Sequence, residues 1–215
     1  MTPVMALFPA DVLLAYLAAV LVVVIAPGPD NILAIGRGLS QGRIAAALSS
    51  LGAGIGILLH TLAATLGLAL VLQSSPVAFW GVKAAGAAYL LWLGWKAITS
   101  RSLISFAPTD RQPLLRVFVT GLLSNVLNPK PGLFVVAFIP QFVSPGRGPV
   151  ALQMLGYGAV FALLTDVIFT LLGCFAARLS AWLVRRPRVA AAANVGAGVT
   201  FIAAGLSILA LQRRT

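Results

Sequence analysis

The 215-residue chain has no glutamate, four aspartates, one cysteine and one histidine. A single cysteine, Cys174, cannot form an intrachain disulfide and leaves no dithiol pair for redox chemistry. One cysteine and one histidine argue against a zinc site. Charged residues are only 9% of the chain, too few to cover a soluble domain of this size. Long linkers and low-complexity tracts are missing too. The first ten residues hold no Lys or Arg, and Asp11 precedes the first apolar run. That start does not read as a signal peptide, so the first apolar segment is expected to stay in the mature protein.

What remains is apolar. Hydrophobic residues are 60% of the chain and the mean hydropathy is +1.02. The expectation is an all-α integral membrane protein whose solvent is the lipid bilayer. A net charge of +11 does not point to nucleic acid, because the basic residues sit in short clusters between apolar segments rather than along one face. The excess of Arg over Lys, 12 to 3, fits a bacterial origin and hence the bacterial cytoplasmic (inner) membrane.

Six spans are predicted, at 12–36, 45–72, 77–98, 117–143, 150–176 and 190–211, each long enough for a hydrocarbon core of ~30 Å at ~1.5 Å per residue. The links after the first, third and fifth carry Arg37 and Arg43; Lys96, Arg101, Arg111 and Arg116; and Arg178, Arg185, Arg186 and Arg188. The other side carries Lys83, Arg147, Arg213 and Arg214. Basic links face the cytoplasm, which predicts that both termini lie outside it. Gly52, Gly54 and Gly56, and Gly196 and Gly198, suit close helix packing in lipid. Such faces also permit a homodimer.

The first span is interrupted. Val12 to Ala26 is too short to cross, and Pro27-Gly28-Pro29 follows before the apolar pattern resumes at Ile32. Asp30 and Asn31 fall where a second half-helix would start, and both residue types cap helices. A similar interruption appears about a hundred residues later, where Asn128-Pro129-Lys130-Pro131 divides the fourth span. Each break lies in the first span of a three-span half. Three is odd, so the halves insert in opposite directions, as in transporters built from inverted repeats around paired broken helices. The expected architecture is one transporter domain over 1–215. It comprises two inverted three-helix repeats, about 1–100 and 113–215, with helices 1 and 4 broken at the prolines.

The stretches PGPDNILAIGRGLSQGR and SNVLNPKPGLFVVAFIPQFV resemble the P-G-P-[ND] and N-x-x-N-P-K segments of the LysE/RhtB amino-acid exporters. Length, span number and both motif positions agree over nearly the whole chain. Many members have Asn where Asp30 stands and Ala where Pro131 stands. The resemblance implies a transporter, not an enzyme. It implies export of amino acids or related small metabolites, driven by protons, with no cofactor or metal.

Physical chemistry supplies a candidate site. The half-helix N-termini after Pro29 and Pro131 present free N–H groups to a substrate carboxylate. Asp30 either caps its helix or binds the substrate ammonium or a coupling proton. Asp166 lies within the fifth span, where an acid costs roughly 2.5–3.5 kcal/mol on insertion scales. It handles substrate or protons, or bonds a neighbouring helix. Lys130 meets the substrate carboxylate or pairs with Asp30 or Asp166. Asn31, Asn125 and Asn128 satisfy freed backbone groups or touch substrate. His60 is a weaker candidate, since a lone buried histidine is more often structural. The basic link around Arg37 is a gate or only an orientation signal. A passive small-solute channel and an exporter of a non-amino-acid metabolite are the rival readings.

Overall fold

The computed structural model describes residues 7–26, 28–74 and 110–176 continuously, with scattered positions between 81 and 99 and between 178 and 206. These residues are helical, with no strand among them. The helices are α1 (Ala10–Ile25), α2 (Pro29–Gln41), α3 (Arg43–Ser74), α4 (Leu114–Val126), α5 (Pro129–Ala137) and α6 (Val150–Cys174). Two short 3₁₀ turns, Ile139–Phe142 and Pro145–Arg147, join α5 to α6. The predicted third and sixth spans lie mostly outside the described residues, as do both chain ends, Pro27, Lys83, Lys96, Arg101, Arg185, Arg186, Arg213 and Arg214. The six-span count, the repeats and the side of each terminus are therefore expectations from sequence.

Two helices are long and apolar enough to cross a membrane alone, α3 over Arg43–Gly67 and α6. Two more candidate crossings arise only as bent pairs. α1 and α2 meet at 62°, and α4 meets Pro129–Phe142 at 52°. The chain is thus a multi-pass membrane protein, and both bends fall at the prolines singled out from sequence. Proline lacks the N–H that would continue the helix, so each helix stops and a new one starts. One expectation needs correction. The second half-helix begins at Pro129, not after Pro131. Pro131 fits in the first turn because N–H groups there have no helical acceptor.

α3 is central and packs against α2, α4, α5 and α6. Its glycines divide the work. A methyl added at Gly52 would overlap the α4 backbone at Phe118 and Leu122, and one at Gly56 would overlap Asn125. Gly54 faces the other way, towards Asp166 of α6. On the α4 side, Gly121 comes equally close to the backbone of Ser49. Close approach of this kind maximises dispersion where lipid offers no hydrophobic drive. Gly42, at φ 83°, turns α2 into α3 in a conformation that side chains disfavour.

A buried apolar core surrounds these contacts, with Tyr16 and Val20 of α1, Phe134 of α5, and Met154, Tyr157 and Phe161 of α6. The Tyr16 hydroxyl donates to the Tyr157 carbonyl at 2.6 Å, so its polar end is satisfied inside the core. Leu14, Leu66 and Leu163 are exposed, as suits a lipid-facing surface.

Gly52→Ala is expected to destabilise the bundle by about 1–3 kcal/mol through overpacking. Gly67→Ala, which would meet nothing within 4 Å among the described residues, is expected to be neutral or to gain up to about 1 kcal/mol. Thermal unfolding of the two purified variants checks this, and equal melting points would contradict the packing account.

Candidate functional site

At the first break, α1 ends at Ile25, and Gly28 is extended where it leads into Pro29. Such a break leaves backbone groups free inside an apolar bundle, where each unsatisfied group is costly. Asn31 answers both sides of it. Its Oδ1 accepts from the Gly28 N–H at 2.9 Å, and its Nδ2 donates to the Ala26 carbonyl at 2.9 Å and the Val24 carbonyl at 3.4 Å.

The second break is closed differently. Asn128 is the N-cap of α5, its Oδ1 accepting from the Lys130 N–H at 3.0 Å. The Asn125 carbonyl, at the end of α4, meets the Asn128 N–H at 3.0 Å and His60 Nε2 at 3.1 Å. His60 also packs against Gly132. It supports the second break from α3 and does not line the cavity described below.

The two breaks then reach across to each other. Asp30 does not cap its own helix. Its Oδ1 accepts from Ser124 Oγ at 2.7 Å, and its Oδ2 accepts from Asn125 Nδ2 at 2.8 Å and Asn128 Nδ2 at 3.0 Å. In return, Lys130 Nζ donates to the Ala26 carbonyl at 2.7 Å. Gly28 makes room for it, since an added Cβ would lie 3.2 Å from that nitrogen. Asp30 is buried and Lys130 partly buried, and their opposite charges attract.

Asp30, Asn31, Asn125, Asn128 and Lys130 line one cavity, together with Gly28, Pro131 and Thr165. Its remaining walls are apolar, including Val23, Val24, Ile57, Phe161 and Phe169. It leaves about 20 Å³ for water-sized molecules, which holds a water but not an amino acid. Asp166 lies apart from it, against Gly54, with Oδ1 buried and lacking a hydrogen bond among the described residues. Pro129 sits at the start of α5, outside the cavity wall.

Three participants escaped the sequence reading. Ser124 lies next to Asn125 and one turn before Asn128, a polar stripe that could have marked it. Thr165 had no such signal. Arg37 was read as part of a gate or an orientation signal, and its bonds were not foreseen: it is buried and donates to the Asp110 carbonyl at 2.6 Å, Gln112 Oε1 at 2.8 Å and Gln41 Oε1 at 3.2 Å. It ties α2 to the segment leading into α4.

Comparison with known proteins places this geometry. The family model for LysE type translocators matches residues 21–212, so the chain belongs to that family. It is a membrane translocator rather than an enzyme. It is 31% identical over 202 residues to a homoserine/homoserine lactone efflux protein of Salmonella typhi, covering 93% of this chain and 96% of the relative. It is 30% identical over 200 residues to an uncharacterised membrane protein of Pseudomonas aeruginosa, covering 90% and 92%. An uncharacterised membrane protein of Bacillus subtilis is 33% identical over 170 residues, covering 74% and 80%. No solved structure gives a significant match.

Asp30→Asn replaces an acceptor-only carboxylate with an amide, which cannot accept from all three donors in the same way, and removes the opposite charge that Lys130 feels. A loss of about 1–3 kcal/mol is expected. Lys130→Met in the same background should restore part of it. A double-mutant cycle by thermal unfolding measures the coupling, and additive effects would show that the two charges do not act on each other.

Proposed function

We propose that the chain is a secondary active exporter of amino acids or related small metabolites across the bacterial cytoplasmic membrane, working by proton antiport. The observation that carries this reading is that Asp30 and Lys130 line one cavity between two helix breaks. An acid and a base in one cavity match the ammonium and carboxylate of a zwitterion. Asp30 receives the ammonium. Lys130 and the N-termini of α2 and α5 receive the carboxylate. Asn31, Asn125 and Asn128 hold the broken ends in place, and Asp166 takes the coupling proton. The efflux relatives support outward movement of a small substrate derived from an amino acid.

The cavity is too small for such a substrate, so its walls must part. Two inverted three-helix repeats, meeting at the breaks and rocking against each other, would provide that motion. Both termini would then lie outside the cytoplasm, and small-residue faces would allow a homodimer.

Inside-out vesicles carrying the protein, made acidic inside, provide the test. Labelled homoserine and other amino acids should accumulate against their gradients, and collapsing the proton gradient should abolish this. Asp166→Asn should leave downhill exchange and remove the dependence on protons. Flux that only ever runs downhill would indicate a passive channel instead.

A further inference from the structure

Two residues of the cavity wall each hold a polar atom that no described residue engages. The hydroxyl of Thr165 and Oδ1 of Asn125 are buried and have no hydrogen-bond partner among the described residues. Both residues line the cavity, with relative exposures of 2% and 1%. Burying a hydroxyl or amide oxygen without a partner costs about 1–3 kcal/mol, so each such atom calls for a reason.

Thr165 is the more telling of the two. A helical threonine normally satisfies its hydroxyl on the carbonyl one turn back. Thr61, Thr65 and Thr120 all do so here, at 2.7–2.8 Å. Thr165 lies inside α6 and does not. The orientation of the Asn125 amide is fixed by its partner. Nδ2 donates to Asp30, which as a carboxylate can only accept, so Oδ1 is the atom left over. That oxygen packs against Gly56 of α3, where an added Cβ would lie 2.6 Å from it.

We propose that Thr165 and Asn125, both in the cavity wall, form a subsite that reads a hydroxyl group on the substrate's side chain. The proposal rests on the transport reading above and deepens it. Asn125 Oδ1 can only accept, whereas Thr165 can donate or accept. A hydroxyl satisfies both, and a methyl group satisfies neither. An apolar pocket distinguishes these groups poorly, but a site with committed polar partners rejects the one that leaves them unpaired. The selected substrate is a small zwitterion with a side-chain hydroxyl.

Homoserine and norvaline differ only in hydroxyl against methyl, which makes them the probes. Initial rates in energised inside-out vesicles should favour homoserine about tenfold in the unaltered protein. Thr165→Val keeps the shape and removes the hydroxyl. It should bring the ratio close to one by slowing homoserine while norvaline flux persists. Thr165→Ser should keep the preference. If Thr165→Val carries neither compound, Thr165→Ser against Thr165→Ala decides, with the preference expected in the first and lost in the second. A preference that survives in Thr165→Val or Thr165→Ala would overturn the proposal. So would an unaltered protein that carries both compounds equally, although export itself would stand. An unaltered protein that carries no amino acid would remove the transport reading and this subsite with it.

Discussion

The carboxylate of Asp30 joins the two helix breaks, and the arrangement around them depends on it. A charge inside an apolar bundle is tolerated only when its bonding capacity is met. All three donors that meet it come from the end of α4 or the break that follows it: Ser124, Asn125 and Asn128. Hydrogen bonds to a charged group contribute about 1.5–3 kcal/mol each. Three of them outweigh the roughly 2.5–3.5 kcal/mol that an acid costs on insertion scales. The net term favours a burial that binds residues 94 to 98 positions apart. Lys130 completes the exchange by bonding the carbonyl that the first break set free.

The close packing around this clasp is a consequence as much as a cause. Short polar side chains such as Ser and Asn reach Asp30 only if α2 and α4 lie near the same face of α3. Gly52, Gly56 and Gly121 permit that approach. The resulting cavity is too small for a zwitterion. On the proposed transport reading, a substrate ammonium competes with donors already seated on Asp30. Binding and opening are then linked, because displacing Ser124 or an asparagine loosens the contact between the breaks. A substrate stabilises an open arrangement only by its differential affinity for it.

Much of the fold was legible because lipid simplifies the code. Apolar runs marked α3 and α6, and the prolines marked both bends, since proline removes a donor wherever it occurs. The pairing of the breaks was legible as a repeated pattern. Partner choice was not. Asp30 reads in sequence as a helix cap, because its position at the start of α2 and its residue type both fit one. In the structure Asn31 takes the local work and frees Asp30 to cross over. That exchange depends on where α4 lies, which no local signal records. Thr165 was invisible for a related reason. A threonine in an apolar helix usually bonds its own backbone, and only the fold shows that this one does not.

Asp30, which is buried, and Asp166, which is half-buried, also differ in what a proton would do to them. Asp30 accepts three hydrogen bonds, so protonation would remove the charge that strengthens all three and weaken the contact between the breaks. Asp166 stands against Gly54 with one oxygen uncommitted. A proton there removes a charge from the interface of α3 and α6. On the proposed reading the labour therefore divides, with Asp30 holding the halves and meeting the substrate while Asp166 carries the proton. The link between them runs through α3, which presents Gly54 to one acid and Gly52 and Gly56 to the helix that binds the other. On that reading a shift of α3 against α6 is felt by α4, whose backbone packs directly on Gly52.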